Sequence, residues 1–138
     1  MGSQHPLSGY EVLVVEDDVE TLNALDYLIS SVFGCSVLRA SSGDEALRIV
    51  DSGRRVDVVV TDVVMPQQDG MTLAAQLHKR LPDLPVVLIT GRPDVVDALT
   101  ARGGIALLKP VTIERLEAVL MERLYIARAG YSTTKSLQ

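Results

Sequence analysis

The chain has 138 residues, of which 47% are hydrophobic and 22% are charged, and its formal net charge is −5. This length accommodates one domain with a single core, and the composition is typical of a folded globular protein rather than a disordered one. Because phosphate backbones require clustered positive charge, an acidic chain without a dense lysine and arginine block argues against direct nucleic-acid binding. No apolar run is long enough to cross a bilayer and no signal peptide opens the chain, so membrane contact is not expected.

The single cysteine indicates the compartment. Cys35 has no second cysteine with which to form an internal disulfide, and a chain without disulfides fits the reducing cytoplasm. Within a strand, Cys35 is expected to act as a small core hydrophobe rather than as a reactive thiol. We therefore expect a cytoplasmic domain.

The predicted elements alternate between strands and helices. Residues 1–9 show no periodicity and are taken to be disordered or foreign to the natural chain, the domain is expected to span residues 10–128, and residues 129–138 form a polar tail. Five hydrophobic runs are predicted as strands, at about residues 11–15, 35–40, 56–61, 86–89 and 105–108. Apolar residues at helical spacing predict helices at about residues 19–33, 43–52, 71–81, 94–102 and 113–128.

This alternation predicts the fold class. Short connections and right-handed crossovers between successive strands give an α/β domain, with a parallel sheet covered by helices on both faces. The unbroken apolar run before Asp62 is typical of a strand buried on both faces. Asp18, Ser42 and Thr112 are expected to cap helices, and Glu45 completes a capping box with Ser42.

Polar residues of distinct chemistry follow four of the predicted strands. Glu16 and Asp17 follow the first strand, and Asp62 ends the third. Thr90 follows the fourth strand and Lys109 the fifth. Because open α/β sheets bind ligands at the carboxyl ends of their strands, these side chains predict a site at one edge of the sheet.

The same residues carry a family resemblance. Four fragments, in order and each at a strand end, resemble the receiver domain of a two-component response regulator or of a hybrid sensor histidine kinase. They are Val-Val-Glu-Asp at residues 14–17, Thr-Asp-Val-Val-Met-Pro at 61–66 with Asp-Gly at 69–70, Leu-Ile-Thr-Gly at 88–91 and Leu-Leu-Lys-Pro at 107–110. The resemblance covers about residues 10–128 and implies a flavodoxin-like, doubly wound sheet of five strands in the order 2-1-3-4-5, flanked by five helices.

The resemblance implies a function and a cofactor. The domain would be a phospho-acceptor in phosphorelay signalling, not an enzyme, that promotes its own phosphorylation on Asp62 from a phosphohistidine and its own slow dephosphorylation. Mg²⁺ is the implied cofactor, with Mn²⁺ as a substitute. Asp17, Asp62 and the backbone carbonyl of Val64 would bind the metal directly. Glu16 would act largely through water.

Further residues would contact the phosphoryl group or support the loops around it. Lys109 and Thr90 would each bind one phosphoryl oxygen, and Gly91 would leave room beside Thr90. The bond between Lys109 and Pro110 is often cis in the family. The implied structural residues are Pro66, Gly70 and Pro110.

The implied partner is a histidine kinase or a histidine phosphotransfer domain, and the resemblance also admits a homodimer formed on phosphorylation. Phosphorylation would alter the surface around the fourth and fifth strands and so regulate a partner or an attached domain. Two alternatives come from other classes. A pseudo-receiver would serve only as a protein-interaction module. A metal-dependent phosphatase with an aspartate nucleophile would typically need a second aspartate at the position of Val64.

Three residues depart from or tune the family pattern. Ala106 stands where receivers commonly place an aromatic residue, three positions before the lysine, so the usual aromatic switch is absent. Val64 and Arg92 occupy the two positions that tune the lifetime of the phosphoryl group. Val64 is apolar and cannot orient an attacking water, whereas Arg92 could pair with the phosphoryl group or block the entry of water.

These two residues predict a long-lived aspartyl phosphate. Replacing both, Val64→Asn with Arg92→Glu, should shorten the lifetime, because the amide can orient water and the arginine shield is removed. Release of inorganic phosphate from the phosphorylated protein measures the change. Identical release from the variant and the unaltered chain would contradict the prediction.

Overall fold

The computed structural model describes residues 4–65 and 68–129 of the chain. Its strands are β1 (Glu11–Val15), β2 (Ser36–Ala40), β3 (Val58–Asp62), β4 (Val86–Thr90) and β5 (Ile105–Leu108). Its helices are α1 (Val19–Asp26), continued by a π-helical segment (Tyr27–Val32), α2 (Gly43–Asp51), α3 (Gly70–Arg80), α4 (Pro93–Ala101) and α5 (Ile113–Ala129). All ten predicted elements are present, with their ends shifted by a residue or two.

The five strands form one parallel sheet in the order β2-β1-β3-β4-β5, which confirms the predicted fold class. Every residue of β3 and β4 is buried, as expected of strands covered on both faces. The core has two apolar clusters, one on each face of the sheet. Val12 and Val14 of β1 belong to the first and Leu13 and Val15 to the second, because successive side chains of a strand point to opposite faces.

The predicted helix caps are confirmed. Asp18, Ser42 and Thr112 each accept a hydrogen bond from the backbone N–H three residues later, at 3.0, 3.1 and 3.2 Å. Such bonds satisfy donors that the first turn of a helix leaves without partners. In the capping box, the Glu45 carboxylate accepts a hydrogen bond from the N–H of Ser41, at 2.6 Å, and not from that of Ser42.

The first helix ends differently from the prediction. The Phe33 N–H bonds to the carbonyl oxygen of Leu28 at 3.1 Å, five residues earlier, which is the hydrogen-bond pattern of a π-helix. The wider turn places Phe33 in the core and leaves Val32, expected to face inward, 44% exposed. Ile113, also expected to face inward, is exposed at the first position of α5.

Residues 4–9, expected to lie outside the domain, pack against it. Leu7 is fully buried, and its carbonyl oxygen accepts a hydrogen bond from the Cys35 thiol at 3.3 Å. The His5 ring contacts the carboxylate of Glu117 on α5. A lone apolar residue among polar ones carries no periodic signal, so the sequence pattern did not reveal this packing.

Cys35 is a core residue, as predicted. Burial raises the pKa of its thiol to about 11, so the thiol stays protonated at neutral pH. Two predictions lie outside the described residues: Pro66 as a structural residue, and the polar tail over residues 129–138 except Ala129, which is the last residue of α5. Within the described part of the chain, no helix combines the length and apolar character needed to cross a membrane.

Gly70 lies where the start of α3 approaches the end of β3. A Cβ atom at Gly70 would lie 2.3 Å from the carbonyl oxygen of Asp62 and 3.0 Å from the Cα of Val63. Although alanine normally favours a helix over glycine, we expect Gly70→Ala to lower the free energy of unfolding by about 1–3 kcal/mol, the typical effect of overpacking. Urea unfolding measures this change.

Gly91→Ala is the matched control for Gly70→Ala, because a Cβ atom at Gly91 meets nothing within 4 Å. We expect the control to unfold at a urea concentration close to that of the unaltered chain. Equal stabilities of the Gly70→Ala protein and the unaltered chain would show that the β3–α3 connection can widen freely.

Candidate functional site

The strand register brings the predicted polar side chains to one edge of the sheet. Asp62 at the end of β3 pairs with Ile89 of β4, and Thr90 pairs with Leu108 of β5. The N–H of Lys109 donates to the carbonyl oxygen of Thr90 at 2.8 Å, which extends the pairing one residue beyond β5. Asp62, Thr90 and Lys109 therefore lie on three successive strands of the sheet.

An ion pair between the buried Asp62 and the exposed Lys109 lies at this edge. Lys109 Nζ donates to Asp62 Oδ2 at 2.7 Å, and Asp62 is only 9% exposed. The other carboxylate oxygen, Oδ1, accepts a hydrogen bond from the Val64 N–H at 3.1 Å. The hydrogen bond to Asp62 raises the pKa of Lys109, so the ammonium is charged at neutral pH.

Glu16 is a second buried carboxylate beside this pair. It is 4% exposed, and its Oε2 accepts a hydrogen bond from the Asp18 N–H at 3.1 Å. Burial raises the pKa of Glu16 to about 7, and the nearby carboxyl groups of Asp62 and Asp17 add to the rise. The edge therefore carries more negative charge than the single ammonium of Lys109 offsets.

The carboxylate oxygens of Glu16, Asp17 and Asp62 are ligands that suit Mg²⁺. Magnesium prefers carboxylate and carbonyl oxygens and usually keeps several of its waters. A cation here would offset the repulsion that contributes to the raised pKa of Glu16. Among residues 4–65 and 68–129, no three Asp, Glu, His or Cys side chains are placed to enclose a metal by themselves.

Thr90 and Arg92 form a small network next to Asp62. Thr90 is 2% exposed, and its Oγ1 accepts a hydrogen bond from the Arg92 N–H at 3.2 Å, which leaves its own hydroxyl hydrogen for donation. The Arg92 guanidinium pairs with Asp94, a contact that the sequence did not predict. Gly91 is exposed, and the space where its Cβ would lie is open.

A cavity of about 500 Å³ adjoins Glu16, Asp62 and Lys109. It lies between α1 and the connection from β5 to α5, and the peptide bond between Lys109 and Pro110 in that connection is cis, as the resemblance implies. Its apolar lining comprises Ala24, Leu25, Leu28, Ile89, Pro110 and Val111. The sequence gives no sign of this cavity, because its walls come from segments far apart along the chain.

Four predicted residues lie outside the polar cluster that Glu16, Asp62, Thr90 and Lys109 form. Asp17 is exposed, as is the Val64 side chain at 70%. Ala106 is half-buried and packs against the core cluster that α2 and α3 cover, so no aromatic ring occupies this part of β5. Gly70 supports the β3–α3 connection, since its N–H donates to the carbonyl oxygen of Val63 at 2.7 Å.

Comparison with known proteins shows the family to which the chain belongs. A model of the response regulator receiver domain matches residues 12–121. The chain is 38% identical over 118 residues to the sensor kinase CckA of Brucella abortus, covering 82% of this chain and 12% of that protein. It is 34% identical over 128 residues to the probable transcriptional regulatory protein TcrX of Mycobacterium tuberculosis, covering 91% and 53%. The chain thus spans about half or less of the length of these curated relatives.

Solved structures share the architecture. A response regulator receiver domain protein from Clostridium thermocellum superposes with a TM-score of 0.78 at 31% identity, covering 86% of this chain and 97% of that one. The response regulator protein TrrA from Thermotoga maritima, in complex with Mg²⁺ and BeF, superposes with a TM-score of 0.74 at 23% identity, covering 83% and 99%. The second likeness concerns the fold alone.

Glu16 is expected to make the stability of the metal-free protein depend on pH. Its pKa in the folded protein is about 7, against an ordinary 4.5, so the folded chain binds more protons than the unfolded chain between these values. The free energy of unfolding should therefore fall as pH rises from about 4.5 to about 7, by at most about 3 kcal/mol from this group. Glu16→Gln should remove this fall and stabilise the protein above neutral pH.

Urea unfolding at about pH 5 and about pH 8, with divalent cations chelated, measures this contribution. The exposed Glu20 supplies the matched control, Glu20→Gln, which removes one acidic charge on α1 outside the buried cluster. If Glu16→Gln and the unaltered chain lost stability equally between the two pH values, another group would be responsible.

Proposed function

Because the chain belongs to the response regulator receiver domain family, which serves two-component phosphorelay signalling, we propose that Asp62 accepts a phosphoryl group from a phosphohistidine. Receiver domains are signalling domains that interact with histidine kinases and phosphotransfer proteins, and one of these would be the donor. The observation that carries the proposal is the 2.7 Å bond from Lys109 Nζ to Asp62 Oδ2. It places a cation that can bind a phosphate oxygen directly beside a buried, nucleophilic carboxylate.

The proposed step is a transfer between two nucleophiles. One Asp62 oxygen attacks the phosphorus and forms an O–P bond while the P–N bond to the imidazole breaks. The electron pair of that bond returns to the imidazole nitrogen, which takes up a proton. The N–H of Val64, 3.1 Å from Asp62 Oδ1, orients the carboxylate for this attack.

Lys109 and Thr90 would stabilise the transferred group. The ammonium of Lys109 shifts from the Asp62 carboxylate to a phosphoryl oxygen, a charge-assisted hydrogen bond of the same kind. Thr90 donates its hydroxyl hydrogen to a second phosphoryl oxygen, while its Oγ1 still accepts from the Arg92 N–H. Gly91 would leave the approach to Thr90 open.

Asp17, Asp62 and the carbonyl of Val64 would hold Mg²⁺, or Mn²⁺ in its place, and Glu16 would act largely through water. When bound, the cation offsets the repulsion between these carboxylates and the incoming phosphoryl group. The support for this assignment is the raised pKa of Glu16, which reflects both burial and the neighbouring carboxyl groups.

Phosphorylation would regulate a partner, or a domain attached within a longer protein, through the surface around β4 and β5. Ala106 provides no aromatic ring for that response. Movement of Thr90 would instead act on Arg92 and the start of α4, since the Arg92 N–H bonds to the Thr90 hydroxyl. A homodimer formed on phosphorylation would use the same surface. We propose that the domain acts in the cytoplasm.

Phosphorylation with acetyl phosphate tests the acceptor. Incubation with Mg²⁺ should add the mass of one phosphoryl group to the intact protein, and omission of the metal should abolish the gain. Asp62→Asn should abolish it as well, because an amide oxygen is a poor nucleophile. Intact-mass spectrometry measures both results.

Asp97→Asn is the matched control, because Asp97 is an exposed carboxylate on α4 outside the polar cluster. We expect it to be phosphorylated like the unaltered chain. A folded protein that takes up no phosphoryl group with Mg²⁺ present would favour the alternative of a protein-interaction module without phosphotransfer.

A further inference from the structure

The Arg92 side chain is engaged by a carboxylate two residues later. Arg92 Nη2 donates to Asp94 Oδ2 at 2.7 Å, and Nε donates to Oδ1 at 3.2 Å. Such two-point pairing uses the flat edge of the guanidinium that also fits a phosphate. The hydrogen bonds from Arg92 hold the pKa of Asp94 below its ordinary value, so the carboxylate is charged at neutral pH.

The backbone ties this pair to the phospho-acceptor edge. The Arg92 N–H donates to Thr90 Oγ1 at 3.2 Å. Thr90 directly follows Ile89, which pairs with Asp62 across β3 and β4, and neighbouring strands lie only about 4.8 Å apart. The Arg92 backbone is therefore anchored beside the group that would carry the phosphoryl, while Asp94 draws its guanidinium toward the first turn of α4.

The pair sets the direction of the Arg92 guanidinium in this structure and is weak enough to be exchanged. The side chains of Arg92 and Asp94 are 69% and 66% exposed, and exposed ion pairs contribute little net free energy because water competes for both charges. A phosphoryl group on Asp62 carries more negative charge than a carboxylate and offers three acceptor oxygens. It can therefore compete with Asp94 for the same guanidinium.

We propose that Asp94 is a positioning residue that holds Arg92 away from the phosphoryl group on Asp62 and thereby shortens the lifetime of the aspartyl phosphate. The inference rests on the proposed phosphorylation of Asp62. In hydrolysis, a water oxygen bonds to phosphorus while the bond to the Asp62 oxygen breaks, the carboxylate is restored, and the proton that the water gives up passes to the released phosphate. A guanidinium lying over the phosphoryl group obstructs that water, and Asp94 limits how often this occurs.

The same exchange connects the site to α4. Asp94 lies in the first turn of α4 and Arg92 is the residue that precedes the helix. Transfer of the guanidinium from Asp94 to the phosphoryl group therefore releases a contact that spans the start of this helix. This route from Asp62 to the surface needs no aromatic residue at Ala106.

Release of inorganic phosphate from the phosphorylated protein tests the proposal. Asp94→Asn frees the guanidinium and should slow release by up to about fivefold, the limit that an exposed ion pair allows. Arg92→Gln removes the shield and should speed release. The double variant, Arg92→Gln with Asp94→Asn, should release phosphate at the rate of Arg92→Gln alone. Asp94→Glu keeps the charge and should behave like the unaltered chain.

The double variant separates this mechanism from a change in α4. Asp94 also stabilises the helix through its position in the first turn, and that effect would persist without the arginine. A slower release caused by Asp94→Asn in the Arg92→Gln background would overturn the proposal, as would equal rates for Asp94→Asn and the unaltered chain. Asp97→Asn controls for the loss of one negative charge from α4.

The mass and phosphate-release measurements distinguish failure of Asp62 phosphorylation from failure of the role proposed for Asp94. If the unaltered chain gained no phosphoryl mass, phosphorylation of Asp62 would be wrong, and the role of Asp94 with it. If the unaltered chain were phosphorylated and released phosphate at the same rate as Asp94→Asn, the role of Asp94 alone would be wrong.

Discussion

The ion pair between Lys109 and Asp62 joins the end of the fifth strand to the end of the central one. Asp62 and Glu16 are two buried carboxylates, and burying like charges without a counter-charge is strongly unfavourable. Lys109 supplies that counter-charge only when β5 is in register with β4, because its own N–H is held by the carbonyl of Thr90. The polar edge and the complete sheet therefore depend on each other.

Much of this arrangement follows from local features of the sequence. Apolar runs, helical spacing and cap residues such as Asp18 act within a few positions, so the ten elements could be predicted with small errors at their ends. In a parallel sheet the carboxyl ends of the strands lie at one edge. That rule brings Asp62, Thr90 and Lys109 to the same edge, and the strand order β3-β4-β5 makes them neighbours.

Some features that the sequence did not reveal depend on contacts between residues far apart along the chain. Others depend on which of several hydrogen-bond acceptors a group meets. The burial of Leu7 and the contact between His5 and α5 join residues far apart along the chain. The π-helical turn before Phe33 balances helix geometry against core packing. The Arg92 guanidinium pairs with Asp94, whereas the sequence predicted it to pair with the phosphoryl group or to block water, and its sequence neighbours do not say which acceptor it meets.

The segment of the chain that packs into the core is longer than the segment that the family model matches. The family match runs over residues 12–121, yet Leu7 and Leu124 are 0% and 1% exposed, and both belong to one core cluster. A fragment cut to the matched borders would lose both side chains, and the cluster around Phe33 would be opened to water. The limits of the family match and the limits of the packed core are therefore different. For this chain, the limits of the packed core should be used to define the domain.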